Sequence, residues 1–428
     1  MKKPPAKKSP GDDDSLGLPP EWNPKYIPDG GDLARAARRV LDDKTAFVLL
    51  HKDEPDVIAD HLDELASIVL ATSQVKGDHQ AKAIRLGLTL EPIYWISRNK
   101  LHDWLDMFSP LLKVASEIHH DDLQSELFRA WGIYLYLANL GPDSTPPLDA
   151  SLEYAADSGR ADLALLAQLE RLNAQVTTLS LTEVQAEAEA ILVCAAQLNF
   201  TYVQGRTYLS LARAYQFKSL PTTAFTYAQQ ALAFFFSLGI RSMMIEALNI
   251  MIGSMQKLHG SSTYGQQLLY WMKTLSAQMS IPWYQITAYQ HHAAHSFHEG
   301  NYETARAWLI KAWLKNRATF QLSNSEPEIL HLLGMVQSRR QRYALAERHL
   351  LRAYRLYQAR NMPQQAVHAH HAWAYVSFEK GDFVTAVQRL EKTLSLAQAL
   401  PEEATRRRLT TLIEEDILEA RRKGDEAG

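Results

Sequence analysis

The sequence predicts an all-α fold, a solenoid of about eight antiparallel helix hairpins. Three observations predict it. A phrase built on Gly300-Asn301-Tyr302 recurs at Gln341-Arg342-Tyr343 and Gly381-Asp382-Phe383, each time followed by Ala305, Ala346 or Ala386 and then by Leu309, Leu350 or Leu390. A small residue recurs upstream of it, at Ala212, Gly253, Ala293, Gly334 and Ala374, with steps of 41, 40, 41 and 40 residues. Finally, 46% apolar and 22% charged residues with only 9% aromatics favour water-soluble helix over sheet. Period and composition together describe units that cannot bury an apolar face alone and stack to do so.

Residues 1–31 are rich in proline, glycine and separated charge clusters, so they are expected to form a disordered tail. From Asp32 the apolar residues recur at helical spacing, and 32–79 reads as an N-terminal capping hairpin with Val57, Ile58, Leu62, Leu65, Ile68 and Val69 on one face. Residues 80–204 read as degenerate repeats. Trp95, Leu101, Trp104, Leu105 and Phe108 are the expected packing residues of the first, and Pro92 and Pro110 should each end or kink a helix. Stepping backwards by 40 places markers near 172, 132 and 92, where Gly132 fits and Pro92 does not. A long loop is expected over Gly141 to Pro147. Residues 205–400 are the well-formed repeats, 401–422 a charged capping helix with Leu409, Leu412, Ile413, Ile417 and Leu418 as its stripe, and 423–428 a frayed tail.

Charge is unevenly spread. Residues 1–160 hold 18 Lys and Arg against 26 Asp and Glu, whereas 300–360 hold eleven against four. That asymmetry orients an acidic partner without requiring nucleic acid. The single cysteine, Cys194, excludes an internal disulfide, and its apolar run Ile191 to Ala195 makes it read as buried. No apolar run approaches bilayer length, so a cytoplasmic location is expected.

Few residues suggest chemistry. His291 and His295 stand four apart, a spacing used by paired zinc ligands, but no glutamate lies between them to act as a base and His292 falls on a packing position. Gly260 to Gly265 is glycine-flanked without a phosphate-loop lysine and reads as a turn. No catalytic residue, metal or cofactor is expected. Arg339, Arg340, Arg342, Arg348, Arg352 and Arg355 crowd one repeat, and the last three share a helix stripe that would suit nucleic acid electrostatically or simply cover aliphatic surface.

The pattern resembles the tetratricopeptide repeat, best in Tyr289 through Ala312 with Gly300, Tyr302, Ala305, Leu309 and Ala312, although His292 stands where a leucine is usual. The family period is about 34 residues. The longer step here resembles the repeats in the sensor domain of maltose-regulon-type bacterial transcription activators. The resemblance implies a right-handed superhelix whose concave groove, lined by first helices, binds an extended or helical peptide. Carried over unit by unit, it places in that groove Arg206, Leu209, Arg213 and Gln216; then Ile250 and Lys257; then Gln290 and His298; then Glu328, His331 and Arg339; and finally His368, His371, Tyr375 and Glu379. It implies a non-catalytic scaffold or regulatory module for a protein or peptide partner. A ligand sensor of the activator type, with its DNA-binding part elsewhere, and a nucleic-acid-binding solenoid are the alternatives. Nucleic acid ranks behind protein, and no membrane is expected.

Overall fold

The computed structural model describes residues 30–51, 55–96, 101–137, 141–176, 178–259, 262–279, 281–319, 325–401 and 403–427. Twenty α-helices and no strand occur among them. Three helices come first, α1 (Gly30–Leu50), α2 (Pro55–Asp60) and α3 (Leu62–Ser73). Eight hairpins follow: α4 (Gln80–Ile96) with α5 (Leu101–Glu117), α6 (Asp121–Leu137) with α7 (Thr145–Asp157), α8 (Ala161–Gln175) with α9 (Leu181–Gln197), and α10 (Thr201–Phe217) with α11 (Pro221–Leu238). The second half pairs α12 (Arg241–His259) with α13 (Thr263–Gln278), α14 (Pro282–His298) with α15 (Tyr302–Thr319), α16 (Ser325–Arg339) with α17 (Tyr343–Ala359), and α18 (Pro363–Glu379) with α19 (Phe383–Gln398). A single helix, α20 (Glu403–Ala427), ends the array. Each hairpin packs on the next, and first helices also touch first helices one unit on. The predicted all-α solenoid is what forms.

The recurrent phrase is a helix stop followed by a helix start. Gly300, Gln341 and Gly381 adopt left-handed φ values of 75°, 58° and 79°. The next residue turns its N–H back to the carbonyl five positions earlier, as in Asn301 to Ser296 at 2.9 Å, Arg342 to Gln337 at 2.9 Å and Asp382 to Ser377 at 3.0 Å. In two units the middle residue then caps the second helix: Asn301 Oδ1 accepts from the Thr304 N–H at 3.2 Å and Asp382 Oδ1 from Thr385 at 3.1 Å. The same stop recurs at His119, Gly159, Asn199, Ser219, Gly239 and Asn361, all with positive φ. One turn geometry therefore serves within hairpins, at Ser219, Gly300, Gln341 and Gly381, and between them, at His119, Gly159, Asn199, Gly239 and Asn361.

At the crossing, residue size sets how closely the helices meet. Ala212, Ala293 and Ala374 are buried. At Gly132 and Gly334 a Cβ would lie 2.4 Å from the Cγ of Leu148 and of Leu350, so glycine is required for leucine to enter the groove between the helices. The same role falls to Gly87, whose Cβ would meet Leu111 Cδ1 at 2.7 Å, rather than to a residue near 92. At 172 the step is kept but Leu172, fully buried, fills the place.

Several expectations are corrected. Of the two outcomes expected of Pro92 and Pro110, an end or a kink, the end does not occur, since each lies inside its helix. An interior proline costs about 3 kcal/mol, and α4 offsets that by burying Leu90, Ile93 and Tyr94, each contributing about 1.5 to 3 kcal/mol. Gly141 to Pro147 is only partly loop, since Gly141–Ser144 is a 3-10 turn and Pro146 and Pro147 sit in the first turn of α7, where a missing N–H leaves no bond unmade. Cys194 is exposed, because α9 buries Val184, Ala188, Ile191 and Ala195 and leaves Val193 and Cys194 on the far side. Helix α20 continues past 422 to Ala427, with Arg422 and Lys423 paired to Glu426. Trp104 and Phe108 are buried as expected, whereas the side chains of Trp95 and Leu101 and nearly all of the 1–31 tail lie outside the described residues. No helix among the described residues is long and apolar enough to cross a membrane.

Candidate functional site

The first helices of successive hairpins line a concave channel. A cavity of about 650 Å³ opens there, walled by Arg213 from α10, Ile245, Glu246, Asn249 and Gln256 from α12, Trp283, Tyr284, Thr287, Gln290, His291 and Ala294 from α14, and Glu328, His331 and Leu332 from α16, with Tyr136 from α6 and Tyr357 from α17. On α12 and α14 these residues fall at steps of three and four, one stripe per helix. The size lies within the roughly 300–1,000 Å³ of pockets that hold ligands.

Its polar groups are held in place by one another. Arg213 Nη2 reaches Glu246 Oε2 at 3.3 Å, Gln290 Nε2 donates to Glu328 Oε2 at 3.2 Å, and Gln256 Nε2 donates to the His291 carbonyl at 3.3 Å. His291 Nε2 lies 2.6 Å from Asn249 Oδ1, which fixes the proton on Nε2 if the amide oxygen accepts. Burial pushes the pKa of His291 down to about 4, with the neighbouring His292 adding to the effect, and it does the same to His331, where His368 and His371 contribute. Near neutrality the wall therefore presents neutral imidazoles and amides with one cation and two carboxylates.

No known protein-family profile and no curated protein matches this sequence. Solved structures do. A signal-transduction ATPase with numerous domains from Pyrococcus horikoshii, which carries a tetratricopeptide repeat sensor, aligns at 13% identity over 82% of this chain with a TM-score of 0.51. This chain spans about half that protein, 52% of its length. The fold is that of a tetratricopeptide-repeat solenoid. A Rap protein complexed with competence and sporulation factor aligns at 11% identity, covering 92% of this chain and 99% of its own with a TM-score of 0.47. The Cut9 and Hcn1 hetero-tetramer of the APC/C gives 16% identity, 90% and 72% coverage and a TM-score of 0.40.

Of the tetratricopeptide groove positions expected from sequence, Arg213, Gln290, Glu328 and His331 line the cavity. Leu209 and Ile250 do not face it, since both are buried in the hydrophobic core. Arg206 points back into the array. Its guanidinium bonds both Glu170 oxygens at 3.0 Å and the Tyr202 hydroxyl at 3.0 Å; burial opposes its charge, but those partners hold its pKa above the ordinary value. Gln216 lies beside Gly253, 3.1 Å from where a Cβ would be. His298 is at the exposed end of α14 against Phe297, Arg339 pairs with Glu379 at 2.7 Å, and Tyr375 stacks on Phe378. The zinc-like spacing resolves into separate bonds: His291 to Asn249, His295 to Glu299 at 3.3 Å, and His292 stacked on Trp308 at 4.7 Å.

The remaining three, Lys257, His368 and His371, meet something the sequence did not announce. His371 Nε2 lies 2.6 Å from Asp416 Oδ2 on α20. Arg408, two turns earlier on the same helix, donates from Nη1 to Ser219 Oγ at 2.8 Å, at the turn between α10 and α11. Burial, then the charge of Arg408, lowers the pKa of both Lys257 and His368, the latter to about 4. Thus α20 closes the stack against α18 and α19 through Leu409, Ile413 and Ile417, and its outer face reaches across to the hairpin of α10 and α11. Asn249, Thr287, Trp283 and Tyr284 were missed. Continuing each helix stripe at steps of three and four from Gln290 would have found those on α14.

Proposed function

We propose that the protein is a non-catalytic interaction module whose concave channel holds a segment of a partner protein or a peptide. The observation that carries this is the 650 Å³ cavity on the inner wall, built by four consecutive first helices. Arg213, Asn249, Thr287, Gln290 and His331 offer hydrogen bonds suited to an extended backbone, and Trp283, Tyr284 and Leu332 offer apolar contact beside them. A ligand-sensing role, of the kind the archaeal repeat is named for, uses the same cavity. The reach of α20 to Ser219 supports that reading, because it ties the last helix to the hairpin of α10 and α11 from which Arg213 enters the cavity.

Random peptides displayed on phage and selected on the full chain test the proposal. Selected peptides should lose binding to Thr287→Trp, which fills the cavity, and to Arg213→Glu, while both variants melt as the parent does. Peptides that bind both variants unchanged would count against the channel as the site.

A further inference from the structure

The second helices carry a charge pattern that the channel does not use. Among the described residues α13, α15 and α17 hold eight lysines and arginines against two acidic residues, Glu303 and Glu347. Both carboxylates are engaged elsewhere, Glu303 with Arg340 and Glu347 with Arg389 at 2.9 Å. The facing first helices α14, α16 and α18 hold one cation, Arg339, against Glu326, Glu328 and Glu379. Cations are therefore sorted to the convex side of these repeats. Such a one-sign strip raises the local concentration of anions at its surface.

The strip is interleaved with aromatic rings. Lys311 Nζ lies 4.4 Å and Lys273 Nζ 5.3 Å from the Trp308 ring centre, joining α13 to α15, and the Arg317 guanidinium lies 4.9 Å from Trp313. Next to it, Phe236 on α11 and Tyr270 and Trp271 on α13 are 64%, 69% and 47% exposed. Phe236 and Trp271 stack on each other at 6.5 Å with ring planes 10° apart. Arg348 and Arg355 are exposed on α17 with no carboxylate bound among the described residues. Flat rings left in water on α11 and α13 and exposed guanidinium groups two second helices further along on α17 match the two needs of a single strand, stacking for bases and cations for phosphates. A duplex keeps its bases from such rings, and an acidic protein segment would use the cations without the stacked pair.

We propose that the convex face of α11 to α17 binds single-stranded nucleic acid, with phosphates along Lys273, Lys311, Arg348 and Arg355 and bases against Phe236 and Trp271. This stands independently of the channel.

The test is fluorescence anisotropy of labelled oligothymidine and oligouridine of about 16 nucleotides, the upper end of the site sizes of such platforms, titrated with the full chain across a salt series. Binding should weaken linearly on a log–log salt plot. The double variant Arg348→Glu/Arg355→Glu should weaken it at least tenfold and flatten the slope by about 1.4, two phosphate contacts on a single strand. Trp271→Ala should cost about tenfold with the slope unchanged. Thr287→Trp, in the channel, should leave both as they are. All of these exposed-face variants are checked by melting. Absence of binding at low salt would overturn the proposal. So would equal binding of duplex DNA or competition by polyglutamate at equal charge with no dependence on Trp271, which would mark the strip as a face for acidic protein.

Discussion

Replacing Gly334 with alanine should damage the array, and replacing Gly253, one marker of the same register, should not. At Gly334 the new Cβ would stand 2.4 Å from Leu350 Cγ and 2.8 Å from its Cδ2, more than 1 Å inside the 3.5–4.0 Å carbon contact distance. Leu350 is fully buried and has nowhere to retreat. Overpacking of this severity costs about 3 kcal/mol, and the better helix propensity of alanine returns about 1 kcal/mol, leaving a loss of about 2 kcal/mol. At Gly253 only Gln216 Nε2, the flexible end of a side chain, comes within 3.1 Å, so the propensity gain should prevail by about 0.5 to 1 kcal/mol. Because a repeat array need not unfold in one step, native-state hydrogen exchange is the assay. Amides of α16 and α17 should exchange about 30-fold faster in Gly334→Ala, the factor that corresponds to about 2 kcal/mol. Equal protection in Gly334→Ala, or equal damage in Gly253→Ala, would refute the idea that the small residue is there to admit a leucine.

The turn makes a second prediction: Gln341→Gly should stabilise the chain by about 0.5 to 1 kcal/mol, since a left-handed side chain costs about 1 to 2 kcal/mol and glycine loses part of that gain to entropy, and Gly381→Ala should do the reverse in thermal melts. Acid should weaken the fold. His291, His292, His331, His368 and His370 are all held near 4 chiefly by burial, so the unfolded chain binds more protons between about pH 6.5 and 4 and stability falls across that window as pH drops. Glu91, raised to about 8 by burial, works in the opposite direction between about 4.5 and 8, and burial raises Glu126 likewise, but these are two carboxyls against five imidazoles. Melting temperature against pH checks the net sign, and His331→Gln should reduce the dependence. Arg408→Ala should change the melting temperature little, because its bond to Ser219 is at the surface, yet it should speed exchange in the first turns of α20 while the turns held by Leu409 and Ile413 stay protected.

The fold was legible because the packing code is written in residue size. Ala212, Gly253, Ala293, Gly334 and Ala374 keep their step because each must fit the same crossing. Before Gly132 the step lengthens to 45, to Gly87, because Gly87 stands about one turn earlier in α4 than Gly132 does in α6 while the helices themselves begin at Gln80 and Asp121 in the usual step, and a fixed ruler landed on Pro92 instead. The channel was legible only in part. Stripe positions such as Gln290 and His331 follow from helix geometry, but Leu209 and Ile250 are turned inward by the same geometry read one position away. Arg206 looked like a free groove cation because its carboxylate, Glu170, is a full repeat earlier. The reach of Arg408 to Ser219, 189 residues apart, depends on the accumulated curvature of the stack, which no local period records.

The channel itself is tested most directly by hydrogen exchange of the full chain with and without a peptide selected on it. Occupancy of the concave wall predicts slowed exchange in α12, α14 and α16, around Asn249, Thr287 and His331, together with a change in α20. Protection confined to the convex helices α13, α15 and α17, with the inner wall unchanged, would contradict it.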